Sequence, residues 1–297
     1  MSDVHGRVAI VTGAGQGLGR SYALALAAAG AKIVVNDIGA VDGVSTAENV
    51  TAEIRADGGE AIANRDTVAA AEGGLAIVQA ALDAFGRIDI LVSNAGIERN
   101  QSYAKSSQAQ WSDVIDVHLN GTHHLCHAAW PHLIAQKHGR LILVTSPSGL
   151  WGNFSQASYA AAKMGIIGLA NVLAIEGKAK NVLVNCLAPI ATTPMSAHLL
   201  SPELAARLRP ELVSPAVLQL ASDKLETTGA ILVAGGGWFS SAHVALSPGV
   251  HVREGETLDA HWGEIVSGDT ARPGAPLDPE TLEKMFVGHD PALQPTT

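Results

Sequence analysis

Short apolar runs rich in β-branched residues alternate along the chain with longer helix-like segments: VAIVT (8–12), KIVVN (32–36), IDILVS (88–93), RLILVTS (140–146), VLVNCLA (182–188) and AILVA (230–234). Strands so continuously apolar are buried on both faces, as in a parallel sheet covered by helices. A weaker strand, EAIAN (60–64), belongs to the same series. The alternation predicts repeated βαβ units: an α/β, single-domain, doubly wound (Rossmann) parallel sheet of about seven strands with helices on both faces. The pattern changes after Gly237, where a hairpin is expected around Val244–Val252 and a short helix around Asp259–Ile265. From Thr270 the end carries five prolines and is expected to be extended or disordered. The dinucleotide-binding domain is therefore placed at 1–240 and a C-terminal extension at 241–297, with no internal repeat.

Composition narrows what such a fold does. The 297 residues are 47% hydrophobic, enough for a sizeable core, and the net charge of −9 comes without any basic run. Nucleic acid and anionic membranes are not expected partners. Cys126 and Cys186 are too few for a disulfide framework and read as reduced core residues. The start, MSDVHGRVAIVTG, lacks a secretory pattern, and no apolar run is expected to approach ~18 residues, so a cytoplasmic protein is expected.

The chemistry begins at TGAGQGLG (12–19), between the first strand and a helix-like segment. Gly13, Gly17 and Gly19 permit a tight turn and close approach to a pyrophosphate, with Gln16 and Leu18 in the same turn and a helix N-terminus supplying N–H donors. About 20 residues on, Asp37 ends the second strand, where a carboxylate accepts from the adenosine ribose hydroxyls and repels a 2′-phosphate. Neither Ala14, Gly15 nor Gln16 brings a compensating charge, so the cofactor is expected to be NAD. Asp66 and Thr67 follow the third strand; Asp66 is a candidate for the adenine edge or a simple turn aspartate. Asn94, Ala95 and Gly96 of SNAG sit at the fourth strand's end, with Asn94 also suited to tying strands together.

TSPSG (145–149) ends the fifth strand and leads into WGNFSQASYAAAK. Tyr159 and Lys163 are four apart and share a helical face. Oxidising a secondary alcohol needs a base, and a phenol with a pKa of ~10 serves only if a nearby positive charge stabilises its phenolate, the role that suits Lys163. Ser146 ends the strand on the crevice side and is a candidate to polarise the substrate oxygen; Ser148 on the same loop is its rival.

These motifs resemble, in order and spacing, the marks of the short-chain dehydrogenase/reductase family: TGxxxGxG, NAG, a serine and YxxxK, over roughly residues 4–240. A narrower likeness, carried by VTGAGQGLGRSYALALAAAGAKIVVND, ALDAFGRIDILVSNAG and WGNFSQASYAAAKMGIIGLANVLAIEG, is to the (3R)-hydroxyacyl-CoA dehydrogenase domains of peroxisomal multifunctional enzymes type 2 and bacterial relatives, some of which act on hydroxysteroids. The resemblance implies NAD-dependent interconversion of a secondary alcohol and a ketone, on a 3-hydroxyacyl-CoA or steroid-like small molecule, in a homodimer or homotetramer built through helices at 107–137 and 156–179. Two departures stand out. His118 replaces the family's catalytic asparagine and is a candidate for holding the proton-relay water, with Asn120 two residues out of register. Pro189-Ile190 replaces Pro-Gly, followed by Thr192 and Thr193 as candidate cofactor contacts.

For the substrate pocket the apolar Trp151, Phe154, Ile190, Met195, Leu199 and Leu200 are candidates beside Ser148. Arg99 and Lys105 are either CoA-phosphate contacts or solvated charges. His123 and His127 lack the companions of a metal site, so no metal is expected and a subunit contact is preferred. The competing functions are a biosynthetic ketoreductase or other secondary-alcohol dehydrogenase and, in another class, a catalytically silent dinucleotide-binding sensor or scaffold; the intact Ser146, Tyr159 and Lys163 set argues against the latter.

Overall fold

The first strand, β1 (Val8–Thr12), is buried along its whole length and delivers the chain into a glycine turn and α1 (Gly17–Ala28). It belongs to a computed structural model that describes residues 4–192, 201–267 and 272–273. Next come β2 (Lys32–Asn36), a small hairpin of β3 (Ala40–Val41) and β4 (Val44–Ser45), α2 (Thr46–Ala56), β5 (Ala61–Asn64) and α3 (Ala71–Phe85). The hairpin turns on Asp42 and Gly43, φ 50° and 80°, the left-handed pair that a two-residue turn requires. The chain continues through β6 (Ile90–Ser93), α4 (Gln108–Ile115) with its Ser107/Gln110 capping box, and α5 (Gly121–Gln136). Between α4 and α5 the helix widens into a π turn, Asp116–Asn120, so the expected single helix carries a bulge.

Then follow β7 (Gly139–Val144), the short α6 (Pro147–Trp151), α7 (Ala157–Lys178), β8 (Val182–Ile190), α8 (Pro202–Arg207), α9 (Ser214–Ala221), β9 (Ile231–Gly235) and β10 (Trp238–Ala242). Among the described residues the main sheet has eight strands in the order β10-β9-β8-β7-β6-β1-β2-β5. From β5 to β9 the neighbours are parallel, with registers such as Thr12 opposite Asn36. The strand beyond the expected seven is β10. It is joined to β9 by Gly236 and Gly237, φ 58° and 80°, a two-residue connection that only an antiparallel pair allows.

The chain moves outward from β1 through β2 to β5, then returns to β1's other side at β6. That reversal opens a crevice beyond the carboxyl ends of β1 and β6, where ligands of such sheets bind. Of the helices beside it, α7 is by length and composition alone apolar enough to cross a membrane, with a mean hydropathy of 1.4, which corrects the expectation that no segment is. It packs against β7 and β8, with Ala162, Ile166, Ile167, Ala170 and Ala174 buried and 33% of its apolar stretch buried in all.

By contact the chain divides into two compact units, Met1–Ser241 and Ala242–Thr297. In the second, β11 (Ala245–Leu246) pairs antiparallel with β12 (Arg272–Pro273), and α10 (Leu258–Val266) is tied by Ser247 Oγ donating to Ile265 O at 3.2 Å. The hairpin expected at Val244–Val252 is absent: β11 takes a distant partner instead. Most of the proline-bearing end from Thr270 lies outside the described residues, as do Thr193, Met195, Leu199 and Leu200.

Candidate active site

One continuous cavity of about 680 Å³ occupies the crevice, bounded by Asp37, Ile38 and Asp66 in one part and by Ser146, Gln156 and Tyr159 in another. The glycine turn shapes its floor. Gly13 has φ +63°, and a Cβ there would lie 2.8 Å from Ala95 Cα. At Gly19 a Cβ would meet Gly13 O and come within 2.6 Å of Asn94 Nδ2, so α1 docks this closely only on glycine. Asn94 is itself a strap: Nδ2 donates to Thr12 O at 2.9 Å and Gly13 O at 3.3 Å. Thr12 Oγ1 accepts from the Asn94 and Ala95 N–H groups, both at 3.1 Å. Thr12 was not singled out from sequence, although it heads the glycine motif.

The Asp37 carboxylate accepts from Gly15 N–H at 2.8 Å and Gly39 N–H at 2.7 Å, joining the glycine turn to the loop after β2. Each oxygen keeps acceptor capacity beyond these bonds. Ile38 beside it is 66% exposed and uncharged. Behind Asp66 runs an amide chain: Asn36 Nδ2 donates to Asn64 Oδ1 at 2.7 Å and to Asp66 O at 2.9 Å, and Asn64 Nδ2 donates to Asp66 Oδ2 at 2.7 Å. A dinucleotide fits this part of the cavity. The glycines leave room where any Cβ would intrude, the α1 N-terminus has no acidic residue in its first turn, and a carboxylate stands ready as acceptor.

At the reacting end Ser146 caps α6, and its Oγ accepts from Ser148 N–H at 3.1 Å. That leaves its hydroxyl proton to point elsewhere. Tyr159 lies in the first turn of α7. Burial raises its phenol above the ordinary value, a bond with Ser146 works against the rise, and the Glu98 carboxylate adds to it. Lys163, 3% exposed, is brought down to about 7 by burial, with Cys186 opposing. Its Nζ donates to Val144 O at 2.6 Å and stands 5.6 Å from the centre of the Tyr159 ring. Thr145 Oγ1 donates to Lys163 O at 2.7 Å, pinning α7 to the end of β7.

His118 projects from the π turn onto Gly96 and meets the Tyr159 ring edge-on, centroids 5.1 Å apart. Its Nε2 faces both Ile97 O at 2.8 Å and Ile97 N at 3.0 Å, while its buried Nδ1 has no hydrogen-bond partner among the described residues. Burial, reinforced by Lys163, lowers it to about 3, so the ring is neutral. Asn120 instead donates to Asp116 Oδ1 at 2.8 Å.

The cavity thus gathers Gly13, Gln16, Gly17, Leu18, Gly19, Asp37, Asp66, Thr67, Asn94, Ala95, Gly96, His118, Ser146, Ser148, Tyr159, Lys163, Pro189 and Ile190. Three of the expected residues are not among those that line it. Thr192 does not line it: its Oγ1 donates to Ala205 O at 3.1 Å and its N–H to Leu208 O at 2.6 Å. Trp151 and Phe154, 68% and 86% exposed, are not among its lining residues. In their place Glu98, Asn153, Gln156 and Leu208 form the wall, none marked by a local motif. Arg99 lies 3.8 Å from Asp113, and Lys105 ends an exposed single turn. His123 and His127 are exposed with rings 5.6 Å apart; among the described residues no group of three or more metal-ligating side chains occurs.

Residues 7–203 match the short chain dehydrogenase family profile. The chain is 45% identical over 273 residues to a short-chain type dehydrogenase/reductase of Mycobacterium tuberculosis, covering 89% of this chain and 96% of that one. It is also 45% identical to the mouse peroxisomal multifunctional enzyme type 2, covering 95% of this chain but 39% of the enzyme. The solved full-length peroxisomal multifunctional enzyme type 2 from Drosophila melanogaster superposes with a TM-score of 0.80 at 36% identity, over 95% of this chain and 49% of that one.

Proposed function

Because the chain belongs to the short-chain dehydrogenase/reductase family, and so is an oxidoreductase of CH–OH groups that uses a nicotinamide dinucleotide, we propose that it interconverts a 3-hydroxyacyl thioester and its 3-keto form with NAD. The observation that carries this reading is the single cavity joining Asp37 to Ser146, Tyr159 and Lys163. The choice of NAD is supported by Asp37, whose charge repels a 2′-phosphate, and by Ile38 beside it, which supplies no cation.

Gly13, Gln16, Gly17, Leu18 and Gly19 would hold the pyrophosphate, Asp37 the adenosine ribose, Asp66 and Thr67 the adenine edge, and Lys163 with Pro189 and Ile190 the nicotinamide half. Bound there, NAD supplies the acceptor for the hydrogen and electron pair leaving the carbinol carbon. Tyr159 takes the hydroxyl proton. Ser146 donates to the same oxygen and favours the developing carbonyl. The Lys163 ammonium makes the phenolate easier to form, against the burial that opposes it. The unpartnered Nδ1 of neutral His118 is suited to a water leading from Lys163 toward solvent.

Met164, Val172 and Ile175, 40%, 52% and 61% exposed along α7, support a homodimer or homotetramer built through that helix. The test of function is reduction of NAD and NADP by 3-hydroxyacyl-CoAs of several lengths and by 17-hydroxysteroids. NADH formation on the acyl-CoAs is expected. Preference for NADP, or turnover of steroids alone, would overturn the corresponding half of the proposal.

A further inference from the structure

Among the described residues, those that line the cavity include three carboxylates, Asp37, Asp66 and Glu98, against one cation, Lys163. Asp37 and Asp66 belong with the glycine turn and the loops beside it, whereas Glu98 stands at the reacting end. It follows Ile97, whose N–H and carbonyl hold the His118 ring, and its charge reaches the Tyr159 phenol, adding to the rise that burial causes. The side chain is half-buried and oriented: Oε2 accepts from Asn100 Nδ2 at 2.9 Å. Among the described residues no ion pair engages the Glu98 carboxylate; Arg99, next in the chain, points its Nε to Asp113 and donates from its guanidinium to the carbonyl of Glu98 alone. Lys163 does not balance it fully, because its Nζ is held by Val144 O at 2.6 Å and its charge is partly lost near pH 7. His118 is neutral.

We infer that Glu98 sets the charge preference of the reacting end: it selects against an anion beside the carbinol, so that 3-hydroxy acids are taken as uncharged thioesters and not as free carboxylates. This rests on the reading of the site as a 3-hydroxyacyl dehydrogenase. The substrate hydroxyl on C3 must meet Tyr159, and in a free acid the carboxylate on C1 follows two carbons away. The phenolate of Tyr159 and that carboxylate are both anions in one small space, so a charge that opposes the first opposes the second. In a partly desolvated cavity, repulsion between two such charges is worth about 5- to 50-fold in an equilibrium constant. A thioester carries no charge at C1. The phosphates of CoA lie at the far end of the pantetheine arm, beyond the Debye length of about 8 Å, where solvent ions screen them from Glu98.

The test follows oxidation of 3-hydroxybutyryl-CoA and of free 3-hydroxybutyrate by wild type, Glu98→Gln and Glu98→Asp. Glu98→Gln keeps the shape of the side chain and an acceptor for Asn100 while removing the charge; Glu98→Asp keeps the charge. The measured quantity is kcat/KM on the acid divided by kcat/KM on the thioester, a ratio in which any effect on Tyr159 itself cancels. Relative to wild type it is expected to rise by about 5- to 50-fold in Glu98→Gln and to stay within about 3-fold in Glu98→Asp. A Glu98→Gln protein that gains nothing on the acid relative to the thioester, or a Glu98→Asp protein that gains as much, overturns the role given to Glu98 and leaves the dehydrogenase reading standing. No turnover of any 3-hydroxyacyl-CoA by wild type is a different result: it removes the substrate reading, and this inference with it.

Discussion

Tyr159 is raised chiefly by burial, so in the protein alone its phenol keeps its proton at neutral pH. Alcohol oxidation requires the phenol to accept a proton and ketone reduction requires it to give one. With the phenol held above its ordinary value, kcat/KM for oxidation should climb with pH across the neutral and alkaline range, while that for reduction stays level until the phenol itself begins to ionise. Lys163, lowered to about 7, loses its charge as pH rises through neutrality, so Lys163→Met should cost oxidation most near pH 6 and least near pH 9; an equal loss across that range would argue against the role assigned to the ammonium. Tyr159→Phe should lower turnover by about 10³-fold or more with NAD affinity within about 2-fold, read by rapid kinetics and fluorescence titration. His118, lowered to about 3, contributes no inflection near neutrality and acts through its position in the π turn.

Away from the site, an ionic cluster joins the loops at the opposite ends of β1, β6 and β7. Asp89, wholly buried, accepts from Val8 N–H at 3.0 Å, Arg7 at 3.1 Å and Arg87 at 2.6 and 2.9 Å. Arg7 also reaches Asp223 at 2.6 Å, and Arg140, 1% exposed, donates to the carbonyls of Gly139, Asn181, Ser222 and Asp223. His138 lies in this cluster 3.5 Å from Asp223 and is lowered to about 4, first by burial and then by Arg7 and Arg140, with Asp223 and Asp89 opposing. Unfolded, the same imidazole titrates near 6.5, so below that pH the unfolded chain binds a proton that the folded protein refuses. The stability held by neutral His138 is complete above about pH 6.5 and declines as pH falls toward 4. Thermal midpoints at pH 7.5 and 5.0 should therefore drop less in His138→Gln than in wild type. Equal drops would place the acid sensitivity elsewhere.

For the molecule as a whole, the apolar stripe of α7 sets the expectation for assembly. On the proposed assembly through this helix, Val172→Glu with Ile175→Lys should give a smaller species than wild type in light scattering coupled to size exclusion; equal masses overturn an interface on this face. The scaffold around that helix was legible in the residues. VAIVT, KIVVN and VLVNCLA announce strands because a parallel sheet covered on both sides needs unbroken apolar runs, and the βαβ alternation follows from them. Asp42-Gly43 and the glycines before Trp238 also carried turn signals, but short hairpins are easily lost beside strong strands. Tyr159 and Lys163 were legible because helical spacing relates them within one element. Arg140 was hidden inside the run RLILVTS, since its carbonyl partners arrive from other loops. Trp151 and Phe154 were drawn inward by composition and face outward in the fold, whereas Gln156, with no motif of its own, lines the cavity. The sequence by itself determined the elements and the local spacings, because periodicity records which face of each element is buried. The convergence of Thr12, Glu98, His118 and Gln156 was decided only by the tertiary structure, because it depends on strand order, register and the crossover at β1, which no single element encodes.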